Sequence, residues 1–356
     1  MSLINKRVTL EDIAKIAGVS KMAVSLALRG DSSISASTSK KIKQIAAELG
    51  YIPNRMAQGL NTGRSHTIGL LIGGKLHDDY QNQFIKGAIP YAIKRGYTVS
   101  IGPSECDPQV EKYFIEKYNH MMVDGYLAFH CNEIETYKDL QNSNKPFVFY
   151  TKYFENLEAD YVVCHDFHGG YTMTKHLIEL GHRKIAFVYD TELESSSEVV
   201  ARIKGYRKAL TDYGLPFSRE LMIPFNLSNY NHINPNKIYD ENAQFIDSLK
   251  QVERPTALFV CNDITASFVY IILKKLKLSI PEDISIGGYE GIYLGSIIDP
   301  PLTTIATPIV EMGRKACEIL IDKIEGRIPL SEKVQIQLEP KLLIRNSTRS
   351  VSPRVI

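Results

Sequence analysis

The sequence predicts an α/β fold class in two parts, an N-terminal helix-turn-helix headpiece and a two-lobed body built on parallel sheets. Three observations support this prediction. Short helical patterns separated by glycine and serine fill the first fifty residues, and strand-like runs alternate with helical stretches from residue 67 onward. Charge is also asymmetric, because residues 1–60 carry nine Lys and Arg against four Asp and Glu, whereas the other residues carry 33 against 36.

Each headpiece helix is predicted from a capping residue before it and a break after it. The capping residues are Thr9, Ser20 and Ser35, and the breaks are Gly18, the loop from Gly30, and Gly50. Asp12 lies three residues after Thr9, as in a capping box. Two helices joined by a tight glycine-containing turn form the arrangement that places the second helix in a DNA major groove. The alternative is a small helical bundle with a solvated basic face.

Strand and helix patterns alternate along the body in two series. The predicted strands cover 68–72, 97–101, 125–129 and 147–150, then 161–164, 184–189, 257–261 and 284–288. The predicted helices cover 83–94, 107–119, 133–142, a stretch ending at 180, 199–213, 238–250, 265–276 and 308–325. Repeated β-α units build parallel sheets covered by helices, and ligands of such sheets lie beyond the carboxyl ends of the strands. Two lobes therefore predict a ligand in the cleft between them.

Composition and motifs exclude several classes of protein. No apolar run reaches 18 residues and the first seven residues are polar, so neither a membrane span nor a signal peptide is expected. Five cysteines without a CxxC pair favour reduced thiols and a cytoplasmic location. No glycine-rich phosphate loop or GxSxG elbow follows a strand, so neither an enzyme nor a bound cofactor is expected.

The segment Cys164-His165-Asp166-Phe167-His168 brings metal-ligating residue types close together. It follows a predicted strand and precedes a predicted helix, where Asp166 is suited to be the N-cap. We therefore expect no metal site here.

Motifs along nearly the whole chain resemble the lactose-repressor (LacI/GalR) family. They are the runs Val8–Ser20, Val24-Ser25, Glu48–Asn54, Leu180–Ala186, Pro281–Ile286 and Pro300–Ile305. The resemblance implies a homodimeric transcriptional repressor that binds a palindromic double-stranded DNA operator. It also implies a body similar to a periplasmic sugar-binding protein, with a small effector, a sugar or sugar derivative, in the cleft. The controlled genes are expected to be those of carbohydrate utilisation.

The resemblance also divides the chain into three parts. They are a DNA-binding domain over 1–53, a hinge over 54–64, and an effector-binding and dimerisation domain over 65–356. Within the last part, the N-lobe is expected over about 65–160 and 292–323, and the C-lobe over about 161–291 and 324–356.

The family places base-reading side chains at the start of the second helix. Lys21, Met22 and Leu26 occupy those positions, and Ser25 lies beside them in the matching motif. The family commonly has Arg at the position of Leu26 and Asn at that of Arg29. Because leucine makes only apolar contacts, for instance with a thymine methyl, the operator is expected to depart from the usual one. The alternative is that Met22 and Leu26 only extend the apolar surface of the domain.

Residues 54–62 are too short for a stable isolated helix, since helices below roughly 12 residues are marginal in water. In the family this segment becomes helical on DNA beside its twin from the other subunit. Leu60 matches the wedge that enters the minor groove, and Ala57 is small enough for two such helices to approach. Arg55 is expected to contact phosphate. The alternative is an ordinary flexible linker.

Four matches to the family bear on the effector. Arg202 lies just before a Gly-Tyr pair, where the family has a ligand-clamping arginine, and Glu290 takes the place of its usual aspartate. Asn262 and Asp263 follow one predicted strand, and Thr151 follows another where sugar-responsive members carry aspartate. Planar groups that pair donors with acceptors suit a hydroxylated ligand such as a carbohydrate.

Each of these residues also has a purely structural interpretation. Asp263 would cap the following helix, Glu290 would be a solvated loop acid, and Arg202 would join the lobes through a salt bridge. Tyr80 and Phe84 lie near the position of an aromatic loop in the family. They would either stack on a sugar face or pack within their lobe.

Two other functions stay open. The same repressor would respond to a protein partner through its dimer surface, or the chain would be a sugar-binding or sugar-modifying α/β protein with an appended helical domain. The hinge match argues against the second, because an enzyme has no use for a DNA wedge at Leu60.

Overall fold

The structure is a computed structural model that describes residues 8–51, 64–73, 78–131, 133–227 and 235–351. Contacts divide the chain into two units, Met1–Ser65 and His66–Ile356. The first unit holds the helical headpiece and the second holds the α/β body, and each has its own hydrophobic core. Within the described ranges, no helix is both long enough and apolar enough to cross a membrane.

The headpiece consists of α1 (Leu10–Ala17), α2 (Lys21–Arg29) and α3 (Ala36–Glu48). The predicted capping box is present: the Asp12 amide donates to the Thr9 hydroxyl oxygen at 3.3 Å, and the Thr9 amide donates to the Asp12 carboxylate at 2.8 Å. Helices this short are marginal alone in water, so their mutual packing must stabilise them. The shared core consists of Ile13, Ala14, Ala17, Val24, Ala27, Ile42, Ile45 and Ala46.

The body alternates strands and helices in chain order. Its strands are β1 (Thr67–Ile72), β2 (Thr98–Pro103), β3 (Gly125–Ala128), β4 (Phe147–Tyr150), β5 (Asp160–Cys164), β6 (Ile185–Asp190), β7 (Met222–Phe225), β8 (Ala257–Val260), β9 (Ser285–Glu290), β10 (Thr303–Ala306), β11 (Gln335–Leu338) and β12 (Lys341–Leu343). Its helices are α4 (Asp79–Lys94), α5 (Pro108–His120), α6 (Ile134–Asn142), α7 (Asp166–Glu179), α8 (Ser197–Asp212), α9 (Pro235–Glu241), α10 (Ala243–Lys250), α11 (Asp263–Lys275), α12 (Leu294–Ile297) and α13 (Ile309–Ile324).

The strands form two six-stranded sheets of the same topology. The N-lobe sheet has the order β2-β1-β3-β4-β5-β11, and the C-lobe sheet has the order β7-β6-β8-β9-β10-β12. Neighbouring strands are parallel except for the antiparallel pair β10 and β12. The strands β3, β4 and β8 are buried along their whole length, as expected of parallel strands covered on both faces.

The lobe boundaries predicted from the sequence are wrong at three strands. β5 falls at the start of the predicted C-lobe, but Tyr161 pairs with Phe149 and Val162 pairs with Tyr150, which places β5 beside β4 in the N-lobe sheet. β10 falls in the predicted N-lobe but pairs with β9, and β11 falls in the predicted C-lobe but pairs with β5. The sequence pattern of a strand reflects which of its faces are covered and does not identify the strand with which it pairs.

As a consequence, the chain passes between the two sheets three times, after β5, after β10 and after β11. Helix α13 follows the second passage and packs on the N-lobe, against α4 and the strands β3, β4 and β5. Each lobe is therefore assembled from separated segments of the chain.

Several elements of the C-lobe differ from the prediction. The single helix expected over 238–250 is divided at Asn242, whose side-chain amide donates to the carbonyl oxygens of Asn226 and Ile238. No strand was predicted at β7, β10 or β12, and β7 includes Pro224. β7 lies at the edge of its sheet, where proline is tolerated because no further strand needs its missing amide.

Glycines allow two pairs of helices to approach closely. The contacts are Gly87 and Gly313 between α4 and α13, and Gly170 and Gly205 between α7 and α8. A Cβ atom at Gly205 would lie 2.6 Å from the amide nitrogen of Tyr171 and closer still to the carbonyl oxygen of Phe167. The position of α8 against α7 therefore depends on the absence of a side chain at Gly205.

Candidate functional site

Helix α2 presents the four headpiece side chains that the sequence analysis singles out. Lys21 and Met22 are exposed, Met22 to 68%, and Ser25 and Leu26 are half-buried. The opposite face of the helix, which includes Val24, lies in the core. The helix therefore has an accessible face of suitable length for a major groove, and base contacts by these four residues stay a prediction.

Arg55, Ala57 and Leu60 lie outside the described residues, as does the whole segment 54–62. The described chain resumes at Arg64, and the body begins at His66. The roles assigned to these three residues stay predictions from the family resemblance.

A cavity of about 310 Å³ lies between the two lobes of the body. Its walls come from the ends of strands in both sheets, for example Thr151 after β4, Asp190 at the end of β6 and Glu290 at the end of β9. This is the place where ligands of parallel sheets bind, and the volume suits a small molecule. The lining residues are Gly73, Asp78, Tyr80, Gln81, Glu105, Cys106, Phe129, Thr151, Asp190, Glu192, Leu193, Glu198, Arg202, Leu227, Asn262, Ile264 and Glu290.

Arg202 is held rigidly in the wall of the cavity. Its Nε donates to the Asp166 carboxylate at 2.8 Å, and another guanidinium nitrogen donates to the Cys261 carbonyl oxygen at 2.7 Å. The guanidinium also lies over the Tyr289 ring, 3.8 Å from its centre. Burial raises the pKa of Asp166 to about 6, and the charge of Arg202 opposes that rise.

The ion pair of Arg202 and Asp166 is internal to the C-lobe. It joins α8 to α7, and both helices pack on the C-lobe. The alternative in which Arg202 joins the two lobes by a salt bridge is therefore wrong. Asp166 begins α7 without serving as the N-cap that the sequence suggests, because its carboxylate faces Arg202.

The neighbours Asn262 and Asp263 have separate roles. Asn262 lines the cavity and is the N-cap of α11, since its side-chain oxygen accepts from the Thr265 amide at 2.7 Å. Asp263 is fully buried and accepts from the Thr304 hydroxyl at 2.7 Å and the Ile292 amide at 3.0 Å. Asp263 does not reach the cavity, so its predicted effector contact is wrong, as is the cap alternative. Its carboxylate instead joins β10 to the segment after β9.

Glu290 ends β9 with a left-handed backbone, φ 100°, and its side chain lines the cavity. Burial raises its pKa well above the usual range, although the charge of Arg202 opposes that rise. The alternative of a solvated loop acid does not fit this environment.

Of the two aromatic residues predicted near the effector, one lines the cavity and the other lies in the core. Tyr80 lines the cavity, and its hydroxyl accepts from the Thr151 hydroxyl at 3.0 Å. Phe84 is fully buried and stacks on Tyr150 with ring centres 3.7 Å apart. The predicted effector contact of Phe84 is therefore wrong. Helix α4 begins at Asp79 and not at 83, so Phe84 lies a full turn inside the helix and faces the N-lobe core.

Several lining residues were not predicted from the sequence. Asp190 ends β6, and the rule that ligands lie at strand ends would have identified it. Glu198 lies four residues before Arg202 and so shares its face of α8. Burial raises the pKa of Asp190 to about 6, and the donating Glu192 amide opposes that rise. Asp78 caps α4 by accepting from the Tyr80 amide at 2.9 Å.

The histidines of the candidate metal segment pair with a distant carboxylate. The Nδ1 atoms of His165 and His168 contact the two carboxylate oxygens of Glu339, and hydrogen bonds from His165 and then His168 lower the pKa of Glu339. Cys164 instead contacts the Tyr289 hydroxyl in the core at 3.7 Å. The pairing joins the first and third passages of the chain between the sheets.

We expect the body to become less stable as pH rises towards neutral because of Asp263. Burial raises its pKa to about 7, whereas an aspartate in an unfolded chain titrates near 4. The folded state therefore binds more protons between these values. The stabilisation is fully present below about pH 4 and is lost as pH rises through about 7, by up to about 1.4 kcal/mol per pH unit.

Chemical denaturation of the parent and of Asp263→Asn between pH 5 and 8 measures this effect. The free energy of unfolding should fall less steeply with pH in the variant. Asp139→Asn, which changes an exposed aspartate, should keep the parental slope. Equal slopes in the parent and Asp263→Asn would contradict the prediction.

The comparisons with known proteins agree with this organisation. Residues 9–54 match the family described as "Bacterial regulatory proteins, lacI family", and residues 174–348 match a periplasmic binding protein-like domain. The ribose operon repressor of Haemophilus influenzae is 31% identical over 96% of this chain and 99% of its own length. The HTH-type transcriptional repressor PurR of Aliivibrio fischeri is 30% identical over 95% of this chain and 98% of its own length.

The fold is also shared along the whole chain with a solved repressor. The structure of the Lac repressor dimer bound to operator and the anti-inducer ONPF has a TM-score of 0.80 and 25% identity, covering 97% of this chain and 100% of that one. The lacI-family match and the periplasmic binding protein-like match thus fall on the headpiece and the body respectively. The chain belongs to the LacI family of bacterial regulatory proteins and is a DNA-binding transcriptional repressor.

Proposed function

We propose that a small hydroxylated effector binds in the cavity between the lobes and controls the affinity of the repressor for its operator. The observation that carries this proposal is the convergence of polar side chains from both sheets on one cavity. Thr151 and Tyr80 come from the N-lobe, and Arg202, Asn262 and Glu290 come from the C-lobe. Hydroxyl, amide, guanidinium and carboxyl groups together match the donors and acceptors of a sugar or sugar derivative.

Control follows from the placement of the effector between two lobes. A ligand that contacts both lobes binds one lobe arrangement more tightly than another and therefore shifts the population towards it. If the operator also favours one arrangement, effector and operator affinities are coupled by a free energy of typically 1–3 kcal/mol. In a homodimer on a palindromic operator, both headpieces experience this shift.

The repressor in this proposal acts by binding alone, in the cytoplasm, and controls genes of carbohydrate utilisation. Two observations support this proposal. The polar lining of the cavity is suited to bind a ligand, and the similar proteins are repressors. A regulator that responds to a protein partner would instead be indifferent to changes in the cavity, so substitutions there separate the two modes of control.

Asn262→Ser tests the proposal because serine keeps the N-cap of α11 but withdraws the amide from the cavity. We expect operator binding without effector to be unchanged. The effector concentration that alters operator binding should rise roughly two- to tenfold, the cost of one hydrogen bond of about 0.5–1.5 kcal/mol. Gel shifts of genomic fragments identify an operator, and a thermal-shift screen of sugars and nucleobases on the full chain identifies the ligand.

The response of Asn262→Ser to the effector shows whether the cavity is the site of control. If Asn262→Ser responds to the effector at the parental concentration, the signal does not enter through this cavity. A loss of operator binding without effector would show that the substitution damages the fold.

Leu26→Arg is expected to change which operator is bound. Arginine can donate two hydrogen bonds to guanine, whereas leucine makes only apolar contacts, and a good bidentate pair discriminates by about 1–3 kcal/mol. Selection from a randomised DNA pool should therefore move the preference towards a G·C pair at one symmetric position per half-site. Gln44→Arg adds the same charge on the exposed face of α3 and should keep the parental consensus. The same consensus for Leu26→Arg would mean that α2 does not read bases at this position.

A further inference from the structure

The cavity between the lobes is strongly acidic. Six carboxyl side chains line it, those of Asp78, Glu105, Asp190, Glu192, Glu198 and Glu290. Among the described residues of the lining, Arg202 is the single cation, and its guanidinium already pairs with Asp166, which is not itself in the lining. The pair leaves little positive charge to offset the six carboxyl groups.

A second buried cation, Lys152, lies close to the lining on the N-lobe side of the cavity. Lys152 is 2% exposed and lies behind the cavity wall, with its Nζ over the ring of Phe129 at 4.7 Å. Its charge acts on Glu111, a fully buried acid of the N-lobe whose pKa it lowers against the larger effect of burial. Burial raises the pKa of the lining residue Cys106 and the charge of Lys152 opposes that rise, so Lys152 offsets part of the charge of the cavity and two cations stand against six carboxyl groups.

Among the acids of the lining that are not exposed, two retain most of their capacity to accept hydrogen bonds. Glu198 is 6% exposed, and its one described hydrogen bond is a long contact of 3.5 Å from the Ser197 hydroxyl. The Glu290 carboxyl group accepts no hydrogen bond from any described residue, although it lies in the cavity wall. By contrast, Asp190 accepts from the Glu192 amide at 3.0 Å. A ligand would therefore meet two carboxyl groups without strong partners.

Electrostatics decides which ligands such a cavity accepts. Walls of low dielectric strengthen interactions between charges, so a phosphate or carboxylate on a ligand would be repelled by the ionised acids of the lining. A protonated amine would be attracted, and its N–H groups would give the acids charge-assisted hydrogen bonds, which are roughly twice as strong as neutral ones.

We propose that the effector carries a protonated amine together with hydroxyl groups, and that the cavity excludes phosphorylated and carboxylated sugars. The amine donates to Glu198 and Glu290, and the hydroxyl groups pair with Asn262 and Arg202. This inference rests on the proposed role of the cavity as the effector site, and it specifies the chemical class of that effector.

Matched ligands test the inference on the full chain by calorimetry at fixed ionic strength. Tris(hydroxymethyl)aminomethane and pentaerythritol share one skeleton and differ in an ammonium against a hydroxymethyl group. Glucosamine, glucose and glucose 6-phosphate share one sugar skeleton and carry an ammonium group, only hydroxyl groups, and a phosphate group respectively. In each set the amine should bind about tenfold more tightly than its neutral counterpart, and the phosphate most weakly. Equal or tighter binding of the neutral or phosphorylated member overturns the inference, as does the absence of binding by both amines.

Two variants that each remove one negative charge test whether the preference for the amine arises in the cavity. Glu198→Gln should reduce the preference for the amine at least threefold, whereas Glu116→Gln, an exposed acid of α5, should leave it unchanged. An equal reduction in both variants would assign the preference to the general field of the protein and overturn the inference.

DNA binding separates this inference from the proposed function. If amines bind in the cavity without altering operator affinity, the inference stands and the proposed control fails. If a neutral sugar alters operator affinity and its amine does not, the proposed control stands and the inference fails.

Discussion

Replacing Arg202 with alanine is expected to lower the free energy of unfolding of the body by about 3–5 kcal/mol. Arg202 and Asp166 form a buried ion pair, with side chains 4% and 5% exposed. The substitution leaves the Asp166 carboxylate buried without its cation and the Cys261 carbonyl oxygen without its donor. It also removes the stacking on Tyr289. Chemical denaturation of the full chain measures the loss.

A second pair on the same helix provides the control. Lys208 and Asp212 form an exposed pair on α8, so Lys208→Ala should change stability little. The double variant Arg202→Ala with Asp166→Ala should lose less stability than the two single variants together, because no unpaired charge is then buried. Parental stability for Arg202→Ala would show that the pair does not form in solution. Effector binding should weaken in every variant that lacks Arg202.

Gly205→Ala is expected to destabilise the C-lobe by about 1–3 kcal/mol, because the added methyl group must separate α8 from α7. Alanine is otherwise the better helix former by about 1 kcal/mol, so a loss of stability can only arise from the contact between the helices. Arg202 lies three residues before Gly205 on the same helix. We therefore also expect weaker effector binding, although Gly205 does not line the cavity.

Thermal and chemical unfolding of Gly205→Ala measure the change, together with effector affinity. Lys315→Ala makes an alanine at a half-buried site of α13 and should keep stability close to that of the parent. A more stable Gly205→Ala would mean that the two helices separate without cost and that Arg202 does not depend on their contact.

Local features of the fold could be predicted from the sequence, whereas sheet membership could not. The capping box at Thr9 and the strand Phe147–Tyr150 are specified by residues within a few positions of one another, and both are present as predicted. β5 belongs to the N-lobe sheet because it pairs with the strand that contains Val148, which lies shortly before it in the chain. β11 belongs to the same sheet because it pairs with Asp160–Cys164, about 170 positions earlier in the chain. No short window of sequence records such a pairing.

The side chains of the cavity could likewise be predicted only in part from the sequence. Strand ends and the family resemblance identify Thr151, Arg202, Asn262 and Glu290, all of which line it. They do not separate Asn262 from Asp263, because neighbouring residues at a junction of strand and helix point in different directions. The acidity of the cavity was also missed, since its six acids are spread from residue 78 to residue 290 and no motif joins them.

The three passages between the sheets determine the order in which the body can fold during synthesis. When the ribosome has made residue 164, the nascent N-lobe has five of its strands but lacks α13, whose Met312, Ala316 and Leu320 are fully buried in its core. That apolar surface stays uncovered until α13 is complete at Ile324, about 160 residues later, and the last strands of the two lobes arrive only at Leu338 and Leu343. Both lobes are thus completed almost together, near the end of translation. A nascent chain of this repressor should bind chaperones during this interval, and a body truncated before α13 should aggregate.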